Sequence, residues 1–410
     1  MKIGLLAYHS ACNFGATLQL LSTFCYLRNK GYDPIIINWI PKDLEEFYVR
    51  RTPEVQYNMQ KELRSNLWKE TELCRTSKDV AEQIEVNGIQ AIIVGSDAVA
   101  QHHAFPENVV FPTKKIISVR KYTQDRTYPN PFWGEFENYL KKHVPIAFLS
   151  ASSQDSIFKY YKKSLRHNME KSLSRYSWVS VRDSWTQKMF SYITEGKINP
   201  PVTPDPVFAF NNNGGTIIPT KKTILDKFGL PKNYIVLSFE NNRGITQEWI
   251  DKLVAEAKKL DIACVGMPFS VGPTFGKFPI MIKFPLNPLE WYAIIKYSSG
   301  YVGNNMHPIV VSLHNANPFF SFDNYGQSQL KGLLSDDTSS KIKHILSIAG
   351  FSDYRVSCIH RYYKLPTPDF VLSKIKSFDR EKARDFANRY YQSYLSNMQS
   401  IIDSFVNYEK

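Results

Sequence analysis

The stretch Asn287–Tyr325, NPLEWYAIIKYSSGYVGNNMHPIVVSLHNANPFFSFDNY, decides the fold. A helical run with a proline near its start, Asn287–Lys296, leads into a short apolar strand, Tyr301–Gly303. A polar turn follows, Asn304-Asn305-Met306-His307. Then come a second helical run, Pro308–Asn315, and a β-rich run, Phe319–Phe322. His307 therefore falls where a strand ends and a helix begins. In open parallel sheets that crevice is where ligands bind. Backbone N–H groups at a helix start favour anions. A titratable imidazole beside them is a candidate acid or base.

The same rhythm extends outward in both directions. Upstream, Tyr234–Phe239 and Ile262–Gly266 read as strands around a helix at Thr246–Leu260, and Ile280–Lys283 reads as a short strand. At the N-terminus, Lys2–Tyr8 is a buried-strand run, Ala16–Lys30 a helix and Ile35–Asn38 a strand. This is a βαβ unit closed by Gly31. Ile89–Val94, Pro145–Leu149 and Trp178–Val181 continue the series. The predicted fold class is α/β, with two Rossmann-like lobes facing a central cleft. The first lobe spans 1–210, with a helical insertion at about 40–88 and a long irregular loop at about 98–143. Asn211–Lys222 reads as the interdomain linker. The second lobe spans 223–377. Residues 378–410 form a helical tail expected to return to the first lobe.

The totals narrow the field. A chain of 410 residues favours two domains over one. The N-terminal apolar run is too short for a signal peptide, and no stretch approaches the roughly 20 apolar residues of a spanning helix. A cytoplasmic protein is expected. Five scattered cysteines without CxxC spacing read as free thiols, and no metal site is expected. The His102-His103 pair lacks a third ligand at suitable spacing. The net charge is +13, and residues 141–200 hold eleven Lys/Arg against four Asp/Glu. A polyanion, a membrane surface, an anionic substrate or a merely solvated face each account for this. No nucleic-acid motif accompanies the charge, so no nucleic-acid partner is expected.

Polar groups recur at the predicted strand ends: His9 and Asn13, Asp97, Ser152 and Ser153, Arg182, Asp205, Asn241 to Arg243, and His307. Together they are candidates to line one cleft. Each also has a plain structural reading. Arg182 can pair with Asp183 or Asp205, Asp97 and Asp205 can cap turns, and His307 can cap a helix. Gly15 either permits a tight turn or lets backbone approach a ligand.

Taken in order, these segments resemble the polysaccharide pyruvyl transferase family. The resemblance rests on Tyr8-His9 with Asn13–Gln19, on Val94–Asp97, on Ala151-Ser152-Ser153, on Val179–Asp183, on Asp205-Pro206, and on the His307 block with its Pro-Phe strand. Asn305 stands where the family usually has Arg or Ser, Pro308 where it has Gly or Ala, and Ala98–Ala100 where a Trp is usual. The resemblance implies a GT-B-like fold. It also implies transfer of an enolpyruvyl-derived group from phosphoenolpyruvate to two hydroxyls of a sugar, forming a ketal in cell-surface polysaccharide biosynthesis. His307 would be the acid, Asp97 or His9 the base. Arg182, Asn13, Gly15, Ser152, Ser153, Asn305, Asp205 and Arg243 would bind substrate. No cofactor is expected beyond the donor. A glycosyltransferase using a nucleotide sugar, and a non-catalytic saccharide-binding member, stay open as alternatives. The basic run Ser156–Tyr176 reads as one helix that either rests on an anionic membrane, near a lipid-linked acceptor, or is simply solvated.

Overall fold

The computed structural model describes residues 1–104, 109–113, 116–119, 121–240, 244–329 and 334–408. Two fully parallel sheets form the two lobes. The strands of these sheets are numbered in chain order. The first sheet contains β1 (Lys2–Leu6), β2 (Asp33–Ile36), β3 (Ala91–Asp97), β4 (Ile146–Ala151) and β5 (Trp178–Val181), in the order β2-β1-β3-β4-β5. Every residue of β3 and β4 is buried. That is why AIIVGSD and IAFLSA read as near-continuous apolar runs rather than alternating ones. The second sheet contains β6 (Tyr234–Ser238), β7 (Ala263–Gly266), β8 (Ile280–Met281), β9 (Gly300–Gly303), β10 (Phe319–Asp323) and β11 (Arg355–Ser357), in the order β8-β7-β6-β9-β10-β11. Each sheet reverses its winding at one point: between β1 and β3 in the first, and between β6 and β9 in the second. Those switch points leave a crevice at the carboxyl ends of the strands.

Helix α1 (Phe14–Asn29) is the wedge between the lobes. Asn13 starts it, its Oδ1 accepting from the N–H groups of Gly15 at 3.0 Å and Ala16 at 3.3 Å. Its sequence, FGATLQLLSTFCYLRN, is apolar or small nearly all round, and it is buried nearly all round. On the side of the second lobe, Phe14 meets Trp291 with ring centroids 5.4 Å apart.

Three further ties join the lobes. Gln56 belongs to the helical insertion, in the helix Glu54–Leu67, and is wholly buried. Its amide donates to the Leu286 carbonyl at 3.0 Å and accepts from the Leu286 N–H at 2.7 Å. The segment read as a linker is packed structure. Asn211 and Asn213 lie in the short helix Phe210–Asn213 and face different lobes. Asn213 donates to Ser22 at 3.1 Å, while Asn211 accepts from Tyr292 at 3.0 Å and Lys296 at 2.8 Å. The C-terminal helix α2 (Arg380–Tyr408) packs on the first lobe. Trp178 of β5 donates to its Asn397 at 2.9 Å, and Asn397 donates to Ser180 at 3.1 Å.

The basic run is not one helix. Residues Phe158–Tyr160 form a single 3-10 turn, and the helix begins only at Lys163, ending at Leu173. Burial of Phe158 against Trp185, centroids 4.8 Å apart, wins over helix continuity there. Lys159 and Lys162 therefore lie outside the helix that was expected to carry them. Among the described residues, no helix is long and apolar enough to cross a membrane.

Candidate active site

A cleft of about 690 Å³ opens between the two switch points. Asn13, Phe14, Gly15 and Asp97 line it from the first lobe. Ser238, Glu240, Trp291, Asn305, Met306, His307, Tyr325 and Lys341 line it from the second.

His307 is the second residue of the helix Met306–His314, which starts directly after β9. The polar turn thus delivers its imidazole to the cleft floor. Gly15 is what admits it. A Cβ at Gly15 would lie 2.1 Å from the His307 Cγ, so only a glycine lets this ring rest on the start of α1. Among the described residues the His307 Nε2, a buried atom, has no hydrogen-bond partner, and it lies 3.9 Å from the Asp205 Oδ2. Burial lowers the imidazole pKa below 6.5, with Arg182 and Lys341 pushing the same way and Asp205 and Asp97 opposing.

Beneath the floor lies a charged network. Arg182, at the end of β5, donates through Nη1 to the Asp205 Oδ2 at 2.9 Å and through Nη2 to the Asp97 Oδ1 at 3.0 Å. The Gln19 amide of α1 donates to the same Asp205 oxygen at 2.6 Å. Asp97 has a left-handed backbone, φ 75°, a conformation a short acidic side chain tolerates better than most. Burial opposes its charge, but Arg182, Lys341 and His307 hold its pKa down to about 2. Asp97 is therefore a permanent anion at neutral pH.

The expected residues thus divide. His307, Asp97, Asn13, Gly15 and Asn305 share the cleft. Asn305 starts the His307 helix without a side-chain capping bond. Arg182, expected to hold the donor, has both terminal nitrogens engaged by carboxylates and is only 6% exposed. Its geometry is that of a support for Asp97 and Asp205, because the guanidinium fork is already filled on both arms. His9 does not reach the cleft. It is buried, with Nε2 2.8 Å from the Asn38 Oδ1 and Nδ1 3.1 Å from the Ala7 carbonyl. Ser152 and Ser153 are also buried. Ser152 donates to Asp183 at 2.9 Å, and the Ser153 N–H donates to Thr186 at 2.8 Å, so they anchor the helix Ser184–Ile193. Arg243 lies outside the described residues. Among the described residues, no three His, Cys, Asp or Glu side chains are arranged to hold a metal ion.

Sequence reasoning missed Lys341, Gln19 and Trp291. Gln19 stood inside the N-terminal motif and could have been found there. Lys341 follows Ser340, a visible helix-start signal, but nothing local says that its side chain enters the cleft.

The class follows from this architecture. Two parallel-sheet lobes meeting at their switch points, with a C-terminal helix laid back on the first, make a GT-B-like fold. The UDP-N-acetylglucosamine 2-epimerase of Neisseria meningitidis, solved with UDP-GlcNAc bound, shares it at TM-score 0.52 and 10% identity, covering 98% of this chain and 100% of that one. The corresponding epimerase of Methanocaldococcus jannaschii gives 0.49 at 8% identity over 95% and 99%. The spinosyn forosaminyltransferase SpnP gives 0.48 at 9% over 97% and 95%. The chain belongs to the polysaccharide pyruvyl transferase family, whose model matches residues 13–325. That span takes in the switch point of the second sheet, His307, and the Arg182, Asp97, Asp205 and Gln19 network; β1 and Lys341 lie outside it. No curated protein matches the chain significantly. Membership defines a transferase acting on polysaccharide.

Proposed function

We propose that the protein transfers the enolpyruvyl-derived group of phosphoenolpyruvate to two hydroxyls of a saccharide, forming a cyclic ketal and releasing inorganic phosphate. The observation that carries this reading is His307: an imidazole that lines the cleft, its Nε2 buried beside Asp205 at 3.9 Å and, among the described residues, without a hydrogen-bond partner. Such a group can deliver a proton into the cleft and recover it.

The chemistry proceeds as follows. Protonated His307 gives its proton to C3 of the donor, making a methyl group, and positive charge develops at C2. One sugar hydroxyl adds to C2, and its proton returns to the imidazole. The C2–O bond to phosphate then breaks, and the second hydroxyl closes the ring, its proton leaving with phosphate. Asp97, anionic throughout, favours both the imidazolium and the charge at C2. Arg182 keeps Asp97 and Asp205 in place. A bound dianionic donor adds negative charge beside His307 and lifts its pKa back toward neutrality, where an acid catalyst works best. His9, buried and bonded elsewhere, has no part in this scheme.

The test is a titration of the protein with phosphoenolpyruvate, and separately with UDP-sugars, read by calorimetry and by release of inorganic phosphate on adding saccharide diols. Donor binding with phosphate release supports the reading. Binding of UDP-sugars alone supports the second one, glycosyl transfer.

A further inference from the structure

Lys341 is a buried cation of the cleft that, among the described residues, forms no ion pair; Arg51, the other cation lining the cleft, is exposed. It opens the helix Lys341–Ala349, whose start is capped by Ser340, the Oγ accepting from the Lys343 N–H at 3.1 Å. The side chain is 7% exposed. It lines the cleft and also the wall separating the cleft from Arg182. Among the described residues, its ammonium makes no hydrogen bond and has no carboxylate oxygen within 4.0 Å. Its recorded neighbour is the Tyr325 ring, with Nζ 5.2 Å from the centroid. The guanidiniums of the buried Arg182 and the part-buried Arg355 are differently placed. Arg182 is held by Asp97 and Asp205, and Arg355 by Asp323 at 2.5 Å and Asp337 at 2.6 Å.

Asp97 acts on the Lys341 ammonium through space, but a buried ammonium with no ion pair or hydrogen bond is unfavourable, so the fold tolerates it only where something else is gained. Burial, reinforced by Arg182, lowers its pKa. A second anion-seeking feature adjoins it. The helix Met306–His314 has no side-chain cap at Asn305, and Asn305 through Pro308 line the same cleft. Pro308 has no N–H and the Asn305 N–H donates to the Tyr301 hydroxyl, so the donors this helix start offers an oxyanion are the Met306 and His307 N–H groups.

We propose that the Lys341 ammonium and the uncapped start of the Met306–His314 helix together form the anion site that receives the phosphate or carboxylate of the donor. This inference rests on the reading proposed above. Lys341 supplies the charge that Arg182, paired with Asp97 and Asp205, does not.

The experiment compares wild-type protein with Lys341→Met and Lys341→Arg. Each is titrated with phosphoenolpyruvate, with inorganic phosphate and with pyruvate, and the melting temperature of each free protein is recorded. Lys341→Met should bind phosphoenolpyruvate at least tenfold more weakly while the protein stays folded, because the Arg182 pairing of Asp97 and Asp205 is untouched. Lys341→Arg should recover part of the affinity. Whichever of phosphate and pyruvate loses its response in Lys341→Met identifies the end that is held. A merely structural lysine would instead lower the melting temperature and leave affinity alone. Wild-type binding with Lys341→Met within twofold of it overturns this inference but not the donor assignment. A wild-type protein that ignores phosphoenolpyruvate overturns both. Should Lys341→Met not fold, Lys341→Gln carries the same comparison.

Discussion

Gly15 and His307 come from different lobes and touch. The imidazole rests where a side chain at Gly15 would begin, with 2.1 Å between the His307 Cγ and a Cβ built there. One close approach thus sets both the lobe spacing and the position of the reactive ring.

Gly15→Ala tests that contact. In an unconstrained helix, alanine is better than glycine by about 1 kcal/mol. Here overpacking against the ring, typically about 1–3 kcal/mol, outweighs it. Turnover should fall by about 100-fold, as expected of an ångström-scale misplacement, with a lower melting temperature. Steady-state phosphate release and thermal unfolding measure the two effects, and unaltered kinetics would remove the contact from the mechanism.

His307→Gln should cost turnover about 10²–10⁴-fold while the protein stays folded. The wild-type pH profile carries a sign. The acid form is lost as pH rises through the free-enzyme pKa, which lies below 6.5. Wild-type kcat/KM should therefore fall with rising pH from a point below 6.5, and the variant should lack that limb. A variant that turns over normally takes His307 out of the reaction.

Arg182→Met leaves the Asp97 and Asp205 charges buried without their shared cation, a loss of about 3–5 kcal/mol. Asp97, held at about 2 in the folded protein, stabilises it above its unfolded pKa of about 3.9 and loses that contribution as pH falls through about 2. The variant should melt earlier at pH 7 and unfold at a higher pH on acid titration. Circular dichroism along an acid titration reads this directly. Unchanged acid unfolding would mean that Arg182 does not set the Asp97 charge.

His314 offers an independent pH test away from the cleft. Its Nε2 accepts from the Asn211 N–H at 3.2 Å, which requires the neutral ring. Burial pushes its pKa down to about 3. Its contribution is complete above the unfolded value near 6.5 and is lost as pH falls toward about 3. His314→Gln should flatten the dependence of the urea midpoint on pH across that window. An identical slope in variant and wild type would assign the acid sensitivity elsewhere.

Gln56→Ala removes both hydrogen bonds to Leu286 and leaves its buried N–H and carbonyl unpaired. Each orphaned group costs about 1–3 kcal/mol. A fall in the urea midpoint, with hydrogen exchange rising near Leu286, is the expected result. Wild-type stability would show that the insertion is not a brace between the lobes.

Much of the site was legible because its elements are local. His307 sat visibly between a strand and a helix, and Asp97, Asn13 and Gly15 sat visibly at strand ends. Those positions follow from the repeat of apolar residues along the chain. The roles of the other polar residues were less legible. His9, Ser152 and Ser153 also follow strands, but each is bonded inward, to Asn38, Asp183 and Thr186. Polarity at a strand end marks an address near the crevice without saying which way the group turns.

The sequence by itself determined the alternation of strands and helices in two lobes and the family, since these depend on near-neighbour periodicity and short motifs; the strand order that sets the switch points came from the fold. Tertiary structure alone decided that Gln19 meets Asp205 across 186 positions. It also decided that Arg182 is filled by two carboxylates, and that Lys341 reaches the cleft without one. Such pairings arise from how elements distant in the chain pack, within the first lobe and against the second, and no period of 2 or 3.6 residues encodes that packing.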